Sequence, residues 1–273
     1  MTALLLCARQ ELTLAVRSRW TQIFAAVFAG LALAVSASGY VLSGGHGVQD
    51  FARTAVSLVQ LVLLLVPLTA LVIGVLALCP DRGAGELLFS QPVARSTILL
   101  GQILGLFAAL VGAQALGFGA AGLVIFNQAG EEGLAGFLLL VLAALVLTAI
   151  FLGLAALLSA GGRRARALAL ALVVWFAAVI LFDVAALGLA SLLPSGPASR
   201  VLIVGVLVNP VDAVRTASLL GIEGTAAFGP ASLAFLRFTR GPAGAGLLLG
   251  LSLVFWMGGP LLLAAARLRR ADL

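Results

Sequence analysis

Six stretches of this chain stay apolar for about twenty residues or more with hardly a charge inside them: Gln22 to Leu42, Ala55 to Leu78, Ile98 to Phe126, Leu134 to Ser159, Ala167 to Leu193 and Ala243 to Ala266. A run of roughly 20 apolar residues, wound as a helix, covers the hydrocarbon core of a bilayer. A helix also satisfies its backbone amides within itself, as hydrocarbon demands. The pattern predicts an all-α polytopic membrane protein with six transmembrane helices in one domain, residues 1–273.

Three polar or mixed segments interrupt the runs. In residues 1–20, Arg9, Gln10, Thr13 and Arg17 fall on one side of a helical wheel, and Leu5, Ala8, Leu12, Ala15 and Val16 on the other. This predicts an amphipathic elbow helix leading into the first span, lying in the membrane interface or serving as an ordinary juxtamembrane helix. Residues 79–97 form a loop in which Asp81 can cap a short helix, Glu86 to Phe89 supply one turn, and Pro92 stops it. Residues 194–242 form a long segment between spans five and six. There, Arg200 to Val208 is too short an apolar run to span and either dips into or lies on the outer interface. Asn209 then reads as a cap, Pro210 as the first helical residue, Asp212 as a first-turn acid and Gly221 as the terminator of a helix near 210–220.

Orientation follows from the arginines, because basic residues concentrate in cytoplasmic loops near span ends. An interior amino terminus places eleven inside: Arg9, Arg17, Arg19, Arg82, Arg95, Arg163, Arg164, Arg166, Arg267, Arg269 and Arg270. Five remain outside, Arg53, Arg200, Arg215, Arg237 and Arg240, and four of these lie in the one long outer segment. Both termini are therefore expected in the cytoplasm. Composition agrees, since 63% of residues are hydrophobic and 10% charged, against about half and a quarter in soluble domains. All 16 basic residues are arginine, which with abundant alanine, glycine and leucine suggests a GC-rich bacterial source and hence a bacterial inner membrane. The net charge of +6 is dispersed at span ends, so nucleic acid is not an expected partner. Cys7 and Cys79 are not expected to form a disulfide, and the amino-terminal residues do not read as a cleaved signal.

The loop CPDRGAGELLFSQPVARSTILLGQILG resembles the first cytoplasmic loop of ABC-2 family transporter permeases, through Gly83, Glu86, Leu87, Leu88, Gln91, Pro92, Val93 and Arg95. The resemblance implies an ATPase-coupling helix carried by Glu86, Leu87, Leu88, Gln91, Pro92 and Arg95, and a separate cytoplasmic ABC ATPase that binds ATP and Mg. The chain itself contains no GxxxxGK[ST] loop and no lysine to complete one, so no cofactor and no ATP site are expected in it. The stretch NPVDAVRTASLLGIEGTAAFGPASLAFLRF is similar to the permease group that serves maturation of the copper centres of nitrous oxide reductase. That resemblance implies a second copy of the chain, a periplasmic beta-helical partner, and docking of that partner near Asn209, Pro210, Asp212 and Arg215.

Asp183 is the one acid inside an expected span and marks a candidate cargo path, facing a central cavity or pairing with an outer arginine such as Arg200. Gln60, Gln102 and Gln114 read as hydrogen-bond glue between helices. The GxxxG spacings Gly101/Gly105 and Gly246/Gly250 read as chance in a chain of 32 glycines. A copper path would need converging soft ligands, whereas Met1, Cys7, His46, Cys79 and Met257 are scattered, so no metal site is expected. An intramembrane enzyme lacks a catalytic set, and a channel or secondary transporter lacks paired midplane charges or an evident repeat. An ABC-2 exporter of other cargo stands as the alternative, because kinship of fold does not fix substrate.

Overall fold

The computed structural model describes residues 3–41, 48–79, 93–129, 134–160, 163–224 and 235–270, and every described element is helical. Helix α1 covers Ala3–Arg17, and a break at Ser18 separates it from α2, Arg19–Val41. Helices α3 (Val48–Leu78), α4 (Arg95–Ala129) and α5 (Leu134–Ser159) follow. Helix α6 (Arg164–Phe176) passes through a π-helical segment, Ala177–Leu181, into α7 (Phe182–Ser191). The chain then forms α8 (Ser195–Val208), α9 (Pro210–Glu223) and α10 (Pro242–Arg270). Among the described residues, six helices are long and apolar enough to cross a membrane: α2, α3, α4, α5, the continuous α6 and α7, and α10. They match the six apolar runs, and α5 does so to the residue.

Helix α5 is the centre of the bundle. Its consecutive residues Ile150, Phe151 and Leu152 are all fully buried, so neighbours cover this part of it on every side, while Leu134, Leu138 and Leu142 nearer its start are exposed. Inside a bilayer, lipid is as apolar as leucine, so close packing rather than water exclusion holds helices together. Small residues permit that approach. A Cβ at Gly74 of α3 would stand 2.7 Å from the Ala155 Cβ of α5, and one at Gly117 of α4 would stand 2.5 Å from the Phe28 ring of α2. Phe28 is fully buried and stacks edge-on against Phe118, which meets Phe137 in the same way, joining α2, α4 and α5 through ring contacts. The outward faces of α7 and α10 instead expose apolar side chains such as Leu187, Leu189, Val254 and Leu262.

Proline inside α3 shows how local strain is relieved. Pro67 has no N–H to give the carbonyl of Leu63 and distorts that turn. The Trp175 indole of α6 donates to the next carbonyl, Leu64 O, at 3.0 Å. A neighbouring side chain thus satisfies backbone that the proline disturbs, as membrane helices require.

Helix α1 packs along the first turns of α4, and the Gly101/Gly105 pair is its seat. A Cβ at Gly101 would stand 2.5 Å from the Cys7 Cβ, and one at Gly105 would stand 2.7 Å from the Glu11 Cβ. The reading of this pair as chance is therefore corrected: the spacing puts both glycines on one face, where a helix backbone rests. Gly246 and Gly250 have nothing within 4 Å. The packed stripe of α1 includes Glu11 and Ala15, both buried, while Leu5, Leu14 and Val16 are exposed.

Burial raises the Glu11 carboxyl above its ordinary value of 4.5, and a hydrogen bond from Gln102 lowers it in part. The folded state therefore holds this proton more tightly than the unfolded state. Its contribution to stability is complete below about pH 4.5 and is lost as pH rises through the folded value. Glu11→Gln should melt higher than the parent at pH 8 in detergent, with the gap closing toward pH 4. Equal melting at pH 8 would show that the carboxylate carries no burial cost.

Candidate functional site

The two ends of the bundle carry different polar chemistry. At one end lie α1, the start of α4, the end of α3 and the end of α10. Arg164 Nη2 donates to Leu76 O at 2.9 Å, tying the start of α6 to the last turn of α3. Arg95 Nη1 donates to Leu268 O at 3.2 Å, tying the start of α4 to the last turn of α10. Of the expected coupling residues, Arg95 is described. Glu86, Leu87, Leu88, Gln91 and Pro92 lie outside the described residues, as does the short helix expected around them.

At the other end, α8 and α9 form a helix pair bent by 99°. The bend sits deep. Ser252 of α10 donates to Leu207 O at 2.7 Å, and Ser252 is about 15 Å along α10 from Pro242 at 1.5 Å per residue. Asn209 Nδ2 donates to Ala178 O at 2.7 Å, and Ala178 is about 20 Å from the end of α7 by the same rise. The run packs into the bundle through these bonds, and α8 starts earlier than the apolar run, at Ser195.

Each bond at the bend answers a backbone need. Leu207 O is among the last carbonyls of α8 and has no partner within its own helix. Ala178 lies in the π-helical segment, where the ordinary ladder is broken and carbonyls are free to accept from outside. Asn209 Oδ1 accepts from Val211 N at 3.1 Å, capping α9 with Pro210 at its first position as the sequence indicates. The stop differs from expectation. Gly224, at φ 63°, ends the helix, because a left-handed turn suits glycine. Gly221 stays inside, where a Cβ would stand 2.6 Å from Leu139.

An ion network spans the same joint. Arg215 Nη1 of α9 donates to Asp183 Oδ2 of α7 at 2.7 Å and to Asp212 Oδ1 at 2.8 Å. Asn209 Nδ2 donates to the other Asp212 oxygen at 3.0 Å. Asp183 thus does pair with an arginine of the long segment, but with Arg215; Arg200 is exposed. Asn209 and Asp212 are 3% and 8% exposed, so their own side chains offer little to a docking protein. The network fixes how the hairpin sits against α7. The sequence supplied these four residues in two separate roles, and the structure brings them into one cluster.

The remaining polar candidates separate by neighbour. Gln114 Nε2 donates to Thr148 Oγ1 at 2.8 Å between α4 and α5, Gln102 bonds Glu11, and Gln60 is exposed. No group of three or more His, Cys, Asp or Glu side chains converges among the described residues.

The described residues form a helical bundle with six helices able to cross a membrane, an amino-terminal helix packed on one end and a bent helix pair bonded into the other, as suits a membrane permease. The chain belongs to the ABC-2 family: the family model described as ABC-2 family transporter protein matches residues 5–273. It is 34% identical over 270 residues to the probable ABC transporter permease protein NosY of Pseudomonas aeruginosa, covering 96% of each chain. It is likewise 34% identical over 271 residues to the probable ABC transporter permease protein NosY of Stutzerimonas stutzeri, again covering 96% of each. The chain is an ABC transporter permease, the membrane subunit that works with an ATPase partner.

Proposed function

We propose that this chain is the membrane subunit that couples ATP hydrolysis by a separate cytoplasmic ABC ATPase to transport or remodelling on the periplasmic side, for maturation of the copper sites of nitrous oxide reductase. The observation that carries the reading is the 34% identity to NosY permeases across 96% of both chains, with no inserted or missing domain needed to align them. Two copies assemble in the bacterial inner membrane with both termini in the cytoplasm. The arginine distribution supports that orientation, since the end of the bundle that holds α1 and the end of α10 holds most of the basic residues. The loop at 79–97 couples the bundle to the ATPase, with Glu86, Leu87, Leu88, Gln91, Pro92 and Arg95 as its coupling residues. The hairpin end faces the periplasm, where a beta-helical partner docks on the surface that Asn209, Pro210, Asp212 and Arg215 hold in shape. Asp183 then serves the cargo side by anchoring the hairpin that borders the path.

ATP and Mg belong to the ATPase, since no phosphate-binding loop is encoded here. The test is purification of the chain alone and with its ABC ATPase, followed by nitrous oxide reductase copper analysis in a strain lacking the permease. The chain alone should hydrolyse no ATP, the pair should, and the deletion should yield copper-poor reductase restored by the gene. Reductase with full copper in the deletion strain would remove the maturation role and leave export of another cargo.

A further inference from the structure

Arg95 lies at the first position of α4, directly after the loop proposed to meet the ATPase, and it is half-buried rather than projecting freely. Its guanidinium crosses to the far end of the chain and donates to Leu268 O. Leu268 is in the last described turn of α10, toward the negative end of the helix dipole. A guanidinium is suited to this position, since one group both donates to that carbonyl and opposes the dipole. The last turns of α10 are also anchored in the bundle, with Ala264 fully buried and Leu268 packed against the core. On another face, α1 rests on Gly101 and Gly105, within the next three turns of α4.

We infer that Arg95 is a positioning residue that clasps the start of α4 to the end of α10, so that movement delivered by the ATPase at the loop is passed to the first helix after the loop and the last helix of the chain together. This rests on the proposed coupling function, but it changes the part Arg95 plays. In the simple reading of the loop motif, all its polar residues touch the ATPase. Here the last of them turns back into its own subunit, and the motif divides into the residues proposed to meet the ATPase, Glu86 to Pro92, and an inward anchor at Arg95. A side chain that ties two helices from opposite ends of the sequence converts a local push into displacement of a rigid unit, since packed elements shift as bodies rather than bend continuously.

The experiment uses the full permease co-expressed with its ATPase, as the parent, Arg95→Gln and Arg95→Lys. Three quantities are read: ATPase subunit retained on purification, ATP turnover of the complex, and amide exchange of residues 266–270. In Arg95→Gln the ATPase should be retained at parental stoichiometry, exchange at the end of α10 should rise about fivefold, as loss of a charge-assisted bond implies, and turnover coupled to the permease should fall about fivefold or more. Arg95→Lys keeps a donor and the charge, and should recover at least half of both. Loss of the ATPase from Arg95→Gln with unchanged exchange would overturn the inference and place Arg95 in the subunit contact. Faster exchange with unchanged turnover would also overturn it, leaving a helix cap without a part in coupling. A parent that retains no ATPase would overturn the coupling function instead, and the exchange of residues 266–270 in Arg95→Gln would still decide whether the clasp exists.

Discussion

Arg215→Met is expected to destabilise the purified protein by about 2 to 4 kcal/mol and to release the α8–α9 hairpin from α7. Among the described residues Arg215 is the one cation bonded to both Asp183 and Asp212, and removing it leaves two carboxylates facing each other in a poorly solvated joint. Breaking a buried pair by deleting one partner costs about 3 to 5 kcal/mol, because the stranded charge keeps its desolvation penalty. The expected value is lower here since the Asp183 side chain is 33% exposed, so water screens part of the repulsion. Asp183→Asn alone should cost less than about 1 kcal/mol, because Arg215 still holds Asp212. The combination of Arg215→Met with Asp183→Asn and Asp212→Asn should return most of the loss, as uncharged replacements of buried ion pairs often do. Thermal unfolding in detergent, with limited proteolysis of the hairpin, reads all four proteins. If Arg215→Met unfolds within about 0.5 kcal/mol of the parent, the network contributes no more than an ordinary surface substitution would disturb.

How much of this was legible in the sequence depends on the range of the interactions concerned. The six crossing helices were, because hydropathy and length alone decide whether a segment can span; the limits of Leu134–Ser159 agree in pattern and structure. The Asn209 cap and Pro210 start were legible for the same reason, being made by neighbouring residues. The depth of the hairpin was not. Its apolar run is too short to signal a span, and what seats it are carbonyls of Leu207 and Ala178 that become available only through a helix end and a π-helical segment. The pairing of Asp183 with Arg215 joins residues 32 apart on different helices, and the sequence, which offered Arg200 as an example of an outer partner, carried no signal for that contact. Gly101 and Gly105 carried a correct spacing with no way to name the helix they receive. Glu11 is the reverse case: a charge on a packed face, which an apolar pattern assigns to solvent.

The loop proposed to couple to the ATPase carries the other large expected effect, and it rests on residues beyond those the structure describes. Glu86→Arg or Leu88→Asp should detach or uncouple the ATPase while leaving the membrane bundle folded. The motive is that residues 79–97 combine a cap, an apolar turn and a proline stop, carry the family pattern, and feed straight into α4, whose first residue is clasped to α10. A charge introduced or reversed in a desolvated subunit contact costs roughly 2 to 5 kcal/mol, which lowers affinity about thirtyfold to several-thousandfold. The same change on a solvated loop costs within about 0.5 kcal/mol. Arg95→Gln separates the two halves of the motif, because it should leave the ATPase bound while Glu86→Arg should not. Co-purification of the ATPase with each variant, against monodispersity and melting of the permease, measures the difference. Full retention of the ATPase and parental turnover in both Glu86→Arg and Leu88→Asp would remove this loop from the contact, and the ATPase would then have to engage the same end of the bundle through other segments there, such as the exposed side of α1 or the arginines at 163–166.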